Sequence, residues 1–369
     1  MDPDGLHLPD RQRQPSAADA VMVRPEAPVV VRNLAAGEES RWDAFVETAP
    51  AATFFHLSGW KSVIEEAFGH RTFYLMAQRD GEVTGVLPLT YIRSRLFGSR
   101  LVANAFAVQG GPVAAEAASL DALETRAVQL MNELEAPVLE FRSVTENRSG
   151  WTVKTDLYAS FRKPISSSLE ENMKAIPRKQ RAMVRKGINI GLTSALDSDV
   201  DRLHRLYSES VRNLGTPTFS LKYFRLLREK FHDKSDIVTV TSGEEPVAAV
   251  LNFYFRDTVL PYYGGGSAAA RALAANDFMY WEVMRRAGER GYRLFDFGRS
   301  KCGTGAYEFK KHWGFEPVPL AYQFRLAMGR KIPDLNPLNP KLRLFIALWK
   351  KLPLAATMRL GPVIVRGLG

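Results

Sequence analysis

Residues 274–317 read AANDFMYWEVMRRAGERGYRLFDFGRSKCGTGAYEFKKHWGFEP, with polar side chains crowded between segments that otherwise have the character of core. Phe278, Trp281, Val283, Met284 and Ala287 recur at helical spacing. Residues 288–292 break that pattern, and 293–297 alternate charged and apolar residues as a half-buried strand does. On such a strand Asp296 points opposite Phe295 and Phe297. Gly298, Arg299, Ser300 and Lys301 follow at once, then a Gly-Thr-Gly turn around Thr304 whose glycines allow positive φ, and Phe309, Lys310, Trp313 and Phe315 close the unit. A functional site is expected where these polar residues crowd the end of the strand.

The chain also aligns with itself. Phe55-His56-Leu57 and Trp60 fall in register with Phe219-Ser220-Leu221 and Phe224, and the same offset brings Val83, Val86, Leu87 and Leu89 onto Val247, Val250, Leu251 and Phe253. Both copies read helix, strand, turn, strand, with the turns at Arg79-Asp80-Gly81-Glu82 and Ser242-Gly243-Glu244-Glu245 between apolar alternations. Each then reaches a glycine cluster (Gln109-Gly110-Gly111-Pro112; Gly264-Gly265-Gly266), a helix (119–135; 269–290) and a strand (138–142; 293–297). Two α+β units are expected. They are unequal in chemistry: Phe295-Asp296-Phe297-Gly298-Arg299-Ser300-Lys301 in the second faces only Leu139-Glu140-Phe141-Arg142-Ser143 in the first. The second unit is therefore expected to carry the chemistry, and the first to be structural or to form one wall of a shared cleft.

Taken in order, the motifs YYGGG, ANDFMYW, A-x-x-RG, FDFGRS, the Gly-Thr-Gly turn and EFKKHWGF resemble those of the Fem-type aminoacyltransferases and the related acetyltransferase-like proteins of bacterial envelope polysaccharide clusters, above all the Fem-related proteins that accompany exosortase and PEP-CTERM exopolysaccharide systems. The similarity runs from about 29 to 326 and is densest after 216. The resemblance implies an α+β fold built as a tandem pair of GNAT-like acyltransferase units, each a mixed sheet flanked by helices. The expected divisions are a disordered tail at 1–28, an N-terminal unit at 29–160, a basic linking helix and strand at 161–192, a C-terminal unit at 193–330 and an amphipathic basic segment at 331–369. A kinase reading of Asp296-Phe297-Gly298 fails for want of a glycine-rich phosphate loop, a β3-type lysine and an HRD segment.

Composition fits an enzyme of this size without choosing its chemistry. The 369 residues are 46% hydrophobic and 24% charged, as in globular chains. The single cysteine rules out an internal disulfide framework and leaves no Cys/His cluster for a structural zinc, so no metal is expected. The N-terminus has neither the basic nor the apolar region of a secretory signal, and no apolar run approaches the roughly 20 residues of a membrane span; a cytoplasmic location is expected. A net charge of +10 is concentrated most strongly between 168 and 187, where Lys174, Arg178, Lys179, Arg181, Arg185 and Lys186 share a helical segment. This is either a solvated face or, through Arg178, Lys179, Arg181 and Arg185, a platform for the phosphates of coenzyme A or the backbone of a charged tRNA. The contiguous pyrophosphate loop of ordinary GNAT enzymes is absent, which leaves acyl-CoA and aminoacyl-tRNA both open as donor substrates, with no permanently bound cofactor.

Acyl transfer to an amine requires an unprotonated nucleophile and a stabilised oxyanion. Asp296 is the first candidate for receiving the acceptor's ammonium or assisting its proton loss; the alternative is an ion pair with Arg299 or Lys301 that holds the turn. Lys310 matches the lysine of the family's Phe-Lys motif, which the resemblance assigns to donor binding or to stabilising negative charge. Arg299 and Lys301 suit phosphate or a sugar-linked carboxylate. Asn276 and Asp277 open a helix, one as its cap and the other toward the cleft. Tyr262, Tyr263, Ser300, Thr304 and Trp313 complete the candidate substrate-binding set, with core packing the alternative for the tyrosines and the tryptophan. Residues 341–352, KLRLFIALWKKL, form an amphipathic basic helix that suits either an anionic membrane surface, the inner membrane in this setting, or packing on protein. The reading is an N-acyltransferase acting on a glycan or peptide amine of an envelope or exopolysaccharide precursor; its rivals are an aminoacyl-tRNA-dependent transferase of the peptidoglycan-bridge type and an inert scaffold of the polysaccharide machinery.

Overall fold

The computed structural model describes residues 27–95, 97–142, 148–330, 332 and 340–369. All but the last two residues of the tail expected at 1–28 lie outside them. In chain order the elements are β1 (Val30–Asn33), α1 (Glu39–Thr48), α2 (Gly59–Phe68), β2 (Arg71–Arg79), β3 (Glu82–Ser94), β4 (Gly98–Ala103), β5 (Val113–Ala114), α3 (Ala117–Glu133), β6 (Val138–Arg142), β7 (Thr152–Lys154) and β8 (Tyr158–Pro164). They continue with α4 (Leu169–Ala175), α5 (Arg178–Asn189), β9 (Thr193–Asp197), α6 (Val200–Leu214), α7 (Leu221–Lys230), β10 (Ser235–Ser242), β11 (Glu245–Phe255), β12 (Thr258–Gly266), α8 (Ala275–Glu289), β13 (Leu294–Lys301), α9 (Gly305–His312), β14 (Pro317–Pro319), β15 (Tyr322–Leu326), α10 (Pro340–Trp349) and α11 (Leu354–Val365).

The repeat is real in three dimensions. One sheet runs β1-β2-β3-β4-β6-β15-β7 with β5 beside β3, the other β14-β8-β13-β12-β11-β10-β9. Each is antiparallel except at a single parallel pair that lasts two residues: Leu101↔Leu139 and Val102↔Glu140 in the first, Thr258↔Leu294 and Val259↔Phe295 in the second. The hairpins form where the turn chemistry places them, with Asp80 and Gly81 at positive φ in one and Gly243 in the other. This is a mixed α+β fold of two sheets flanked by helices.

The division of the chain differs from the contiguous one read from sequence. Strand β8, at the end of the first half, lies between β13 and β14 of the second sheet, while β15, at the end of the second half, lies between β6 and β7 of the first. The halves thus exchange a strand reciprocally. Nor is 161–192 a linker: α5 packs against α8, and the approach is so close that a Cβ on Gly187 would sit 2.8 Å from that of Phe278.

The units also share one core. Trp42, Phe54, Phe55 and Trp60 of the first half and Phe224, Phe231 and Phe253 of the second belong to one buried cluster. Phe54 stacks on Phe253 with ring centroids 4.3 Å apart and meets Phe231 at 4.7 Å. Burying such rings removes water from both halves together, so the two units meet through a shared apolar interior. The basic segment expected as one helix over 341–352 is helical through Trp349, as α10; a turn and Pro353 follow, with Trp349 buried and α11 continuing beyond.

Candidate active site

The opening follows from the short parallel pair. Beyond Val259 and Phe295, β12 continues along β11 while β13 continues along β8, so the two strands part and leave backbone facing a gap. Both strands carry a one-residue bulge there. In β12 the register jumps from Leu251↔Tyr263 to Asn252↔Pro261, which makes Tyr262 the extra residue. In β13 it jumps between Asp296 and Arg299, with Gly298 at φ +66°. A bulge bends its strand and re-aims the side chains around it, and the left-handed conformation explains why glycine stands at 298.

Asp296 is buried and faces the first unit. Its Oδ2 accepts from Arg162 Nε at 2.8 Å, its Oδ1 from the Gly298 amide at 2.7 Å. Its ion-pair partner is thus Arg162 of the exchanged strand, in place of the Arg299 or Lys301 that the alternative reading named. Arg162 Nη2 reaches Gln109 Oε1 of the first unit at 3.2 Å, so Gln109, Arg162 and Asp296 form a chain across the margin. They line a cavity of about 280 Å³ together with Thr53, Phe54 and Arg256.

Lys310 lies on the other side of the bulge, beside Phe297 and Phe161. Its Nζ donates to the Phe297 carbonyl at 2.6 Å and the Arg299 carbonyl at 3.0 Å, with the Gly298 carbonyl at 3.5 Å. Burial pulls its pKa down to about 8, against the raising influence of the Asp296 charge. Arg299 lies with its guanidinium 4.7 Å from the Tyr158 ring centroid and donates from Nη1 to the Tyr322 hydroxyl.

Several expected substrate contacts are structural here. Trp313 is fully buried and donates its indole N–H to Asp277 Oδ1 at 3.1 Å; Gln180 Nε2 donates to the same oxygen at 2.5 Å. Asp277 therefore ties α5, α8 and the end of α9 together, away from the cleft, and desolvation raises its pKa. It does not cap α8: the N-cap is Ala274, at φ +55° and without a side-chain bond, and Asn276 is half-buried beside Gly266. Tyr263 is buried with its hydroxyl 2.8 Å from that of Tyr223, and the Tyr262 hydroxyl donates to the Phe106 carbonyl at 3.2 Å. Thr304 caps α9 by accepting from the Tyr307 amide. Ser300 is buried in β13, and Lys301 ends that strand, half-buried, next to the cap.

Helix α5 turns Gln180, Val184 and Gly187 inward. Arg178, Arg181, Arg185 and Lys186 line a groove of about 600 Å³ with Ala182 and Asn189, and Lys179 is exposed outside it. Arg181 is partly committed to the backbone, donating to the carbonyls of Ile176 and Lys174 at 3.2 and 3.3 Å. Among the described residues none of Arg178, Lys179, Arg185 and Lys186 has a carboxylate within salt-bridge distance. Arg162, Gln109 and Gln180 escaped the sequence reading. The one available signal was the glycine cluster that begins at Gln109.

Residues 171–311 match a family model described as an acetyltransferase (GNAT) domain. The chain is similar in structure to FemX, with a TM-score of 0.63 and 17% identity over 81% of this chain and 97% of that one. It is also similar to a tandem GNAT protein from the clavulanic acid biosynthesis pathway, with a TM-score of 0.53 and 12% identity over 82% and 100% of the two chains. A third similarity is to the C-terminal domain of a putative lysylphosphatidylglycerol synthetase from Agrobacterium fabrum, with a TM-score of 0.52 and 13% identity over 79% and 92%. No curated protein matches the sequence. At these identities the structural likenesses speak for the fold, which is that of tandem GNAT-like proteins. With the matched domain lying over the bulged strands, the chain is a GNAT-fold acyltransferase.

Proposed function

We propose that this protein is an N-acyltransferase that moves an acyl group from acyl-CoA to an amino group on an envelope or exopolysaccharide precursor, in the exosortase and PEP-CTERM setting suggested by its sequence motifs. The observation that carries the reading is the gap between β12 and β13 beside a bulge fixed by Asp296 on one side and Lys310 on the other. The unpaired strand edges suit an extended acyl-bearing arm, which would pair with backbone as an added strand does. In the reaction the amine nitrogen bonds to the acyl carbon, the carbon–sulfur bond breaks, and the proton lost by the amine passes toward Asp296 while the thiolate leaves. Lys310 acts as a positioning residue. Its donors are turned to the bulge carbonyls, and its buried charge beside the gap favours the negative charge that develops on the acyl oxygen.

The unpaired cations of α5 favour a second reading, transfer from aminoacyl-tRNA, because a row of uncompensated charge suits a polyanion. Direct binding of acetyl-CoA, longer acyl-CoAs and a charged tRNA pool at two salt concentrations separates the two. Saturable CoA binding supports the first reading. Salt-sensitive tRNA binding without CoA binding supports the second, and binding of neither returns the inert-scaffold reading. Cellular function that survives loss of both Asp296 and Lys310 would also favour the scaffold.

Contact with the inner-membrane surface belongs to the same proposal. No helix among the described residues is long and apolar enough to cross a membrane. Leu344 and Leu348 of α10 and Leu360 and Val363 of α11 are exposed, with Lys350, Lys351 and Arg359 exposed on the same two-helix segment. Apolar and basic groups together suit anionic lipid. Flotation of the intact protein with anionic vesicles tests this, and an absence of binding removes it.

A further inference from the structure

Arg299 is a charged side chain with no carboxylate partner among the described residues. Its guanidinium lies 4.7 Å from the Tyr158 ring centroid and 5.8 Å from that of Tyr322, and those rings stack on each other with centroids 5.1 Å apart. Tyr158 belongs to β8 and Tyr322 to β15, so the aromatic cradle exists because the two sheets exchange strands. Of the five N–H donors a guanidinium carries, Nη1 donates to the Tyr322 hydroxyl and the others have no hydrogen-bond acceptor among the described residues. Among the described residues no carboxylate lies within salt-bridge distance of it. Burial raises the pKa values of Tyr262 and Tyr322, which keeps those two phenols neutral near pH 7.

The internal repeat shows that this vacancy is specific to the second unit. Glu140-Phe141-Arg142 occupies the matching place in the first, where Arg142 Nε donates to Glu140 Oε1 at 2.7 Å in a buried ion pair. The remaining Arg142 nitrogens are spent on the carbonyls of Ala107 and Gly369. That unit neutralises itself. In the second, the extra residue Gly298 separates acid from base: Asp296 is taken by Arg162 and the Gly298 amide, and Arg299 is carried further along the strand, opposite Ser160. Removing a charge from water without a counter-ion is costly, and a fork of open N–H donors matches a carboxylate or phosphate. Part of the residue remains open to solvent, so such an anion has access.

We infer that Arg299, cradled by Tyr158 and Tyr322, is a receptor for an oxyanion, a carboxylate or phosphate carried by the acceptor near its amine. Attribution to the acceptor rests on the proposed acyl transfer; the anion site itself does not. The test follows the arginine Nε–Hε resonances of the full chain during titration with inorganic phosphate and, separately, with glucuronate, at an ionic strength held constant with chloride. The expected result is a saturable shift of the Arg299 resonance. A response to phosphate alone identifies a phosphorylated acceptor, and a response to glucuronate alone a carboxylated one. R299Q should lose the thermal stabilisation given by the effective anion, unfold no earlier than the parent in its absence, and still bind the acyl donor. No saturable shift with either anion overturns the proposal, as does undiminished stabilisation of R299Q. An R299Q protein that is strongly destabilised and whose parent ignores both anions would make the residue purely structural. Because no donor is present in the titration, loss of the anion response with donor binding intact separates failure of this inference from failure of the proposed reaction.

Discussion

Asp296 and Lys310 hold the same bulge from its two sides: the carboxylate takes the Gly298 amide while the ammonium takes the carbonyls of Phe297 and Arg299. Neither side chain touches the other, yet the Asp296 charge holds the lysine's pKa above the value burial alone would give. D296N should therefore lower the Lys310 pKa below about 8, as read by NMR of the lysine side chain against pH. It should also slow acyl transfer by on the order of 10²-fold or more, the usual scale for losing a group that handles the proton. An unchanged lysine pKa in D296N would break the link between the two.

The same lysine gives a pH signature in stability. Its folded pKa, about 8, lies below its ordinary value of 10.5, so between those pH values the unfolded chain binds more protons than the folded one. Stability contributed by this group then rises with pH through that window. Chemical denaturation of the parent and of K310M from pH 7.5 to 10.5 should show the difference between them moving in favour of the parent as pH rises. A pH-independent difference would mean that the ammonium is not desolvated.

Asp277 is predicted to matter for stability and little for chemistry. D277A strands the Trp313 indole and the Gln180 amide, each a buried donor worth about 1–3 kcal/mol when unpaired, and a loss of about 2–4 kcal/mol is expected by denaturant titration. D277N keeps an oxygen for both donors and should cost less. Donor affinity of the folded fraction should be unchanged in either variant.

The buried pair in the first unit makes the opposite case to Arg299. R142Q leaves Glu140 uncompensated and should destabilise by about 3–5 kcal/mol, the range for breaking a buried ion pair from one side. Equal stability of R142Q and the parent would show that the pair is solvated.

Charge reversal on α5, as in R178E combined with R185E, should weaken donor binding and flatten its salt dependence without lowering the melting temperature, since neither side chain pairs with a carboxylate among the described residues. The inward face differs. G187A pushes a methyl against Phe278, and overpacking of that kind costs about 1–3 kcal/mol.

Much of this was legible in the sequence because the signals are local. Turn residues at 80–81 and 243–244 mark the hairpins, the repeat survives in the apolar positions of β3 and β11, and the crowding after Asp296 marks the bulge, which lies inside β13 because the strand runs on past the expected end at 297 to Lys301. What stayed hidden is long-range. The short alternations of β8 and β15 encode strands but not partners, so the pairing of Arg162 with Asp296, 134 positions apart, cannot be read from either residue. Asn276 and Asp277 carry the chemistry of a helix cap, yet Ala274 in the left-handed region starts the helix. Asp277 is drawn inward by two donors from other elements. Trp313 shows a polar handle in sequence, and only the packing reveals that the handle is used inside.

The exchange of β8 and β15 also has a consequence for how the protein is made. The sheet that begins at Val30 receives the strand between β6 and β7 only with 322–326, so during synthesis the first half leaves the ribosome with two strand edges waiting for a partner 168 to 188 residues further along. Unpaired edges of that kind are exposed to misassociation until filled. The internal repeat visible in the sequence is thus tied into one folding event, each sheet being completed by a strand of the other half.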